Sequence, residues 1–259
     1  MNIEYKTRNM SSYKKTQIKS ITEFIEVVEE IKKTSEENGN NTELLFRGQS
    51  IDKPLLPKLS RLNLNGDIKT VERLILDEFK RGIVPLSEFK PENDWDLLAL
   101  AQHHGLPTRL LDWSYSSLIA LWFAVSEAPI KKEKGGFENG VVWVLNADTG
   151  DFKLDAEIHG PLSNKITKIY RPKVISRRIS AQAGAFSVHK INDDDYHIIR
   201  FELNKRYGSK LTKITIPSNL FAGIRKSLNL LGINNATVYP DLDGFCRHLE
   251  KRFSKQSDE

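Results

Sequence analysis

The sequence predicts an α/β protein of the α+β type, with a central mixed or antiparallel sheet and helices at both ends of the chain. Three observations carry this expectation. Apolar residues recur at helical spacing early and late, at Phe24, Val27, Val28 and Ile31 and again at Phe221, Ile224 and Leu228. Short apolar runs of strand type crowd the middle, Val141-Val142-Trp143-Val144-Leu145 foremost. No internal repeat or low-complexity block intervenes, and 39% hydrophobic residues in a chain of 259 can bury a core without a disulfide or metal staple.

In chain order, residues 1–19 read as a flexible N-terminal arm, 20–253 as a single domain and 254–259 as a disordered tail. Ser20-Ile21-Thr22-Glu23 has capping-box spacing and opens a helix that runs to about Glu36. The polar run from Glu37 to Asn41 ends it. Leu44-Leu45-Phe46 is then a short strand with Arg47 at its end. After a loop containing Pro54 and Pro57, Val71, Leu74, Ile75 and Phe79 form the stripe of a helix reaching about Arg81. Another helix starts near Asp94, and Gly105 with Pro107 stops it just past His103-His104. Thr108 to Trp113 is extended, and Ser117 to Ser126, apolar nearly all round, is a helix covered on several sides. Strands are expected near Ile169–Ile175, Ala185–His189 and His197–Leu203, the last from its alternation of Ile199, Phe201 and Leu203. Ser218 should cap a helix closed by Gly232, and a last helix should run from about Leu242 to Phe253 behind Asp241.

The net charge of +5 is unevenly spread. Pro161 to Lys190 carries Lys165, Lys168, Arg171, Lys173, Arg177, Arg178 and Lys190 with no acid among them. A solvated basic face and an anion-binding surface both fit this stretch, so a nucleic-acid-binding module using residues 165–190 is the alternative reading. The single cysteine, Cys246, cannot pair within the chain, and the first residues lack the apolar core of a signal peptide. The longest apolar run, Leu118 to Val125, is far shorter than the roughly 20 residues that cross a bilayer. A cytoplasmic location without a membrane partner is expected.

The densest polar set between apolar runs is Gln102-His103-His104-Gly105-Leu106-Pro107-Thr108-Arg109-Leu110-Leu111-Asp112-Trp113. Such a loop between buried helices does more than connect them. A metal is not expected, because adjacent histidines cannot chelate like an i, i+4 pair and no cysteine pair is present. A triad of Ser114, a histidine and Asp112 lacks the glycine-flanked elbow that a nucleophilic serine needs.

Leu45-Phe46-Arg47-Gly48-Gln49, the run from Gln102 to Trp113 with Ala120-Leu121-Trp122-Phe123-Ala124, Gln182-Ala183-Gly184-Ala185-Phe186 and Tyr239-Pro240-Asp241-Leu242-Asp243-Gly244 together resemble the FRG-domain family. Its name comes from the Phe-Arg-Gly triplet. The resemblance implies one polar site built from Phe46, Arg47, Gly48 and Gln49, from Gln102, His103, His104, Thr108, Arg109, Asp112 and Trp113, and from Gln182. It implies an accessory protein of bacteria or their phages and leaves the reaction open.

A looser likeness to the ADP-ribosyltransferase superfamily supplies a candidate reaction. It lies in the order of an arginine on a first strand, a polar turn before an aromatic-containing helix, and a polar residue before a later strand. It implies NAD or another nucleotide as ligand, with ADP-ribosyl transfer or NAD cleavage as the chemistry. Arg47 would offer its planar fork to phosphate or ribose oxygens, Gly48 would let the ligand approach the backbone, and Trp113 or Tyr115 would stack on nicotinamide. Gln182 falls where the superfamily has a catalytic glutamate. An amide can hydrogen-bond a ribose hydroxyl but carries no charge to meet a developing oxocarbenium, which leaves Asp112 as the nearest carboxylate. Glu157 and Glu202 are more distant in sequence, and His104 is the remaining catalytic candidate. An ion pair of Asp112 with Arg47 or Arg109 is the competing structural expectation.

The nucleic-acid alternative makes a separate prediction. Affinity should fall steeply with added salt, because each phosphate contact releases counterions, and neutralising Arg177 and Arg178 should weaken it. Binding isotherms at two salt concentrations check this, and unchanged binding by the doubly neutralised chain would exclude the stretch as the contact.

Overall fold

A computed structural model describes residues 13–37, 41–87, 89–152, 160–172 and 184–254. These form a seven-stranded sheet in the order β1-β7-β4-β2-β3-β6-β5. The strands are β1 (Lys14–Gln17), β2 (Thr42–Gln49), β3 (Leu110–Ser114), β4 (Gly140–Asp148), β5 (Lys168–Tyr170), β6 (Gly184–Val188) and β7 (Leu211–Ile216). Only β1 and β7 run parallel, and every other neighbouring pair is antiparallel. The helices are α1 (Ile21–Glu37), α2 (Ile68–Gly82), α3 (Asp94–His103), α4 (Ser117–Val125), α5 (Phe221–Leu230), the short α6 (Asn235–Val238) and α7 (Leu242–Phe253). The expected α/β class, with a mixed sheet and helices near both ends, is what the chain adopts.

Local chemistry explains where the helices begin. Ser20 Oγ accepts from the Glu23 amide, and the Glu23 carboxylate reaches back to the Lys19 amide. Asp67 caps α2, Asn93 takes two amides at the start of α3, Ser116 caps α4 and Asp241 caps α7. Helix α3 then ends where Gly105 adopts a positive φ of 78°, a conformation that only glycine enters freely.

Two helical groups share one face of the sheet. α1, α4 and α5 bury Phe24, Leu121 and Phe221 against Phe46, Val144 and Ile214. α2 and α3 bury Leu76 and Leu98 against Leu110, Phe186 and Val188. The register Phe46↔Ser114 places Ser114, and by alternation Asp112 and Leu110, on the same side as Phe46. The opposite face packs Trp113, Trp143 and Leu145 under Leu55, Phe201 and Tyr207, with the Phe201 and Tyr207 rings stacked at 4.5 Å.

Three expectations change. Lys14–Gln17 belong to the sheet as the edge strand β1, not to a flexible arm, because they pair with Thr212 to Thr215 of β7. The expected strand at His197–Leu203 is instead irregular chain ending in a 3-10 turn at Phe201–Leu203. Its alternation buries Phe201 but leaves Ile199 49% and Leu203 42% exposed, and the Phe201 amide bonds Leu55 O rather than a neighbouring strand. Ser218 opens a 3-10 turn, and α5 starts three residues later without a side-chain cap. Strand β7 had no sequence expectation at all. Of the strand expected at Ile169–Ile175, Lys168–Tyr170 is strand, and the part from 173 lies outside the described residues.

One buried ion pair fastens α2 to the start of β3. Arg109 is 2% exposed and Glu72 of α2 is fully buried. The Arg109 amide donates to Glu72 Oε1 at 3.0 Å, while Nε and Nη2 donate to Oε2 at 2.7 and 2.5 Å. Nη1 reaches Leu162 O within the turn at 161–163 and Asn164 Oδ1 just after it. Removing one partner strands a charge without water, which costs about 3 to 5 kcal/mol. We therefore predict that Glu72→Gln loses stability on that order in urea denaturation, and that the double replacement Glu72→Met, Arg109→Met recovers most of it. An unshifted unfolding midpoint for Glu72→Gln would show that the pair does not hold these segments.

Candidate functional site

The sheet is open between β2 and β3. All 8 residues of β2 pair with β4, and all 5 residues of β3 pair with β6, but β2 and β3 share the single register pair Phe46↔Ser114. Beyond it the two strands part, so the backbone groups facing the gap need other partners. Arg47 supplies one. Its Nη1 crosses the seam and donates to the Asp112 carbonyl at 2.8 Å, with the Asp112 Oδ2 at 3.5 Å.

The Asp112 carboxylate is held from its other side by α3. Gln102 Nε2 donates to Oδ1 at 3.1 Å and to Oδ2 at 3.0 Å. The amide has one allowed orientation. A carboxylate only accepts, so the Gln102 NH₂ must face Asp112, which turns Gln102 Oε1 to accept from Thr108 Oγ1 at 2.6 Å, and that hydroxyl oxygen accepts from the Leu110 amide at 3.1 Å. The result is an oriented carboxylate with 56% of its side chain exposed beside a guanidinium with 19% exposed.

Burial holds the Arg47 guanidinium below its ordinary pKa, Asp112 pulls it back up, and Arg61 pushes it further down. Its Nε is buried without a hydrogen-bond partner among the described residues. Behind it, His189 is 1% exposed and its imidazole is pushed down to about 3, first by burial and then by Arg47 and Arg109. Ser187 Oγ joins His189 Nε2 at 3.0 Å to Trp113 Nε1 at 3.0 Å. Two cations thus share a wall with a neutral histidine.

The structure sorts the expected site residues into two groups. Arg47, Gln102, Thr108 and Asp112 form one hydrogen-bonded string. Gln49 stands near it on β2, accepting from Trp143 Nε1 at 3.1 Å. Phe46 is 4% exposed and lies in the core, and Trp113, 2% exposed, has its indole nitrogen committed to Ser187. Neither ring offers a face to a ligand. Arg109 is spent on Glu72. Gly48 does allow a close approach, but α4 makes it: a Cβ there would sit 1.8 Å from Ala120 O. His103 is the last residue of α3 and His104 its exposed C-cap, the two rings meeting edge-on at 4.9 Å. Tyr115 accepts from Arg171 Nε at 2.9 Å. Glu202 is buried, accepts the Leu55 amide at 3.0 Å and has its pKa raised by that burial. Gln182 and Glu157 lie outside the described residues, as do Arg177 and Arg178.

Two neighbours of the seam had no expectation attached. His189 closes the wall behind Arg47, and its strand spacing from Ser187 was the available signal. Arg61 ends a 3-10 turn at Lys58–Arg61 that docks on the α3 exit through Lys58 Nζ to Gly105 O at 2.7 Å and the Leu59 amide to Thr108 O at 3.4 Å. Among the described residues no group of three or more His, Cys, Asp or Glu could hold a metal ion.

The depressed imidazole yields a pH prediction. Unfolded, His189 titrates near 6.5, and folded near about 3, so unfolding takes up a proton at any pH between them. The stability gained by keeping it neutral is complete above 6.5 and is lost as pH falls from there toward 3, by at most about 1.4 kcal/mol per pH unit. Denaturant melts across this window should steepen for the wild type and flatten for His189→Gln. Parallel profiles for the two would refute a neutral buried imidazole.

No curated protein and no solved structure matches the chain. One family model does, that of the FRG domain, over residues 42–133. The match runs from β2 to the loop after α4 and takes in Arg47, Gln102, Thr108 and Asp112, while Gln182-Phe186 and Tyr239-Gly244 lie beyond it. Over residues 42–133 the chain is therefore similar to the FRG domain.

Proposed function

We propose that the open seam between β2 and β3 binds a nucleotide, with NAD the candidate that the likeness to ADP-ribosyltransferases implies. The observation that carries this reading is the pairing of a desolvated Arg47 with an oriented, half-exposed Asp112 carboxylate at a gap in the sheet. The donor set fits such a ligand. A guanidinium stripped of much of its water gains more from a phosphate than a solvated one does. A carboxylate fixed by Gln102 is an acceptor for ribose hydroxyls. Thr108 acts through Gln102 and positions Asp112 without touching a ligand.

NAD, when bound, would supply an ADP-ribosyl group for transfer or hydrolysis. In that reading Asp112 is the carboxylate available for catalysis, Arg47 binds, Gln182 contributes a hydrogen bond from outside the described residues, and His104 at the rim of α3 is the candidate acid or base. The family resemblance supports reading such an activity as part of bacterial or phage conflict or stress responses, with the cytoplasm as its expected location. Among the described residues no helix is long and apolar enough to cross a membrane.

Arg47→Lys tests the reading directly. Lysine keeps the charge and loses the planar fork, so NAD affinity should drop roughly ten- to a hundredfold with the fold intact. Calorimetric titration of NAD into both proteins, beside thermal melts, measures the two effects. Absence of NAD binding by the wild type would end the NAD reading, and a lowered melting temperature with proportionate loss of binding would make Arg47 structural.

A further inference from the structure

We infer that α7 is a self-association surface, on which α7 of a second copy of the chain docks in the antiparallel sense. The inference is independent of the seam and of any ligand there. Its basis is a helix whose apolar side is turned to solvent. Leu242, Phe245, Cys246, Leu249 and Phe253 recur at i, i+3, i+4, i+7 and i+11, so they form one stripe along α7. Such a stripe ordinarily faces the core. Here Leu242 is 76% and Phe253 79% exposed, Phe245 and Cys246 are exposed as well, and Leu249 is half-buried.

The helix cannot roll to hide these side chains. Gly244 lies off the stripe and is buried, and a Cβ there would sit 2.0 Å from Tyr239 O and 2.5 Å from Tyr239 Cβ. Rolling α7 would drive a larger side chain into that space. Asp241 Oδ1 accepts from the Gly244 amide at 2.7 Å and fixes the entry, while the Arg247 guanidinium stands 5.5 Å from the centre of the Tyr239 ring. Tyr239 itself meets Trp122 and Phe123 of α4 edge-on. The contact with Tyr239 thus sets the rotation of α7 and leaves the stripe outward.

Charge selects what covers it. Asp241 and Asp243 open the helix, Lys251 and Arg252 end it, and Arg247 and Glu250 between them cancel. A helix without net charge has no electrostatic preference for an anionic lipid surface or a strongly charged protein. Its two ends nevertheless carry opposite signs. Antiparallel copies set the acidic first turn of each against the basic last turn of the other, with the helix dipoles opposed, whereas parallel copies would set like charges together. One patch then serves both copies about a two-fold axis. With one short helix from each copy the contact is small, which puts the dimer in the micromolar range or weaker.

The test is sedimentation equilibrium of the full chain from about 1 to about 500 µM, for the wild type and for the double variant Leu242→Ser, Phe253→Ser, with thermal melts to confirm that both fold. The expected result is a monomer–dimer equilibrium for the wild type, weakened about tenfold or more in the variant. Crosslinking with a short bismaleimide then reads the orientation. Cys246 lies near the middle of α7 and should capture the wild-type dimer. In a Cys246→Ser background, Leu242→Cys chains mixed with Phe253→Cys chains should crosslink. Leu242→Cys chains alone should not, because the antiparallel sense holds those positions roughly 16 Å apart. A wild type that stays monomeric throughout overturns the inference, and so does a dimer equally stable in the double variant. Efficient crosslinking of Leu242→Cys chains to one another would overturn the antiparallel sense.

Discussion

A guanidinium without access to water must be answered by an anion and by enough acceptors for its remaining hydrogens, and Arg109 meets that demand by drawing distant segments together. Glu72 brings α2, Leu162 O and Asn164 bring the turn before β5, and the Arg109 amide is part of the same arrangement. Because Arg109 directly precedes β3, everything next to it inherits this rigidity. Thr108 on one side ends the string through Gln102, and Asp112 sits three residues along the strand on the other. The site's geometry is thus set by a pair that does not take part in it.

The second constraint acts on the other lip of the seam. Gly48 and Gly140 both abut the backbone of α4, with Cβ positions 1.8 Å from Ala120 O and 2.6 Å from Ala124 O. A helix lying this close on β2 and β4 keeps those strands together as a unit. α2 and α3 do the same for β3 and β6. Two tightly packed halves therefore meet along a line where the backbone pairs only once, and polar side chains bridge the rest. That division is why a string of polar side chains lies in the middle of the sheet.

Much of this arrangement was readable from the residues, and the exceptions have physical causes. Capping residues and apolar spacing located α1, α2, α3, α4 and α7, since those signals are local. Phe-Arg-Gly and the Gln102 to Trp113 run pointed to the seam, but not to which members line it. Alternation along a strand cannot say whether a residue faces solvent or a second layer, and so Trp113 and Phe46 were expected at a ligand while both are core. Arg109 and Arg47 look alike in sequence. Glu72, 37 positions away, decides that one is internal, and no local pattern carries that information. β1 and the turn at Phe201–Leu203 were misread for the same reason, their partners being Thr212–Thr215 and Leu55.

The strand order also has a consequence for synthesis. β1 is the first strand along the described residues and its partner β7 the last, and the two register as Lys14↔Thr212 through Gln17↔Thr215. Until β7 leaves the ribosome, β4 has one lateral partner and β1 has none. The nascent protein therefore carries an unpaired edge on β4 until β7 emerges, a state prone to intermolecular pairing. Closing that edge also pairs residues as far apart in sequence as Lys14 and Thr212, a slow step for any polypeptide. Completion of this sheet is consequently gated by β7, and chaperone dependence should be concentrated in the interval before β7 emerges.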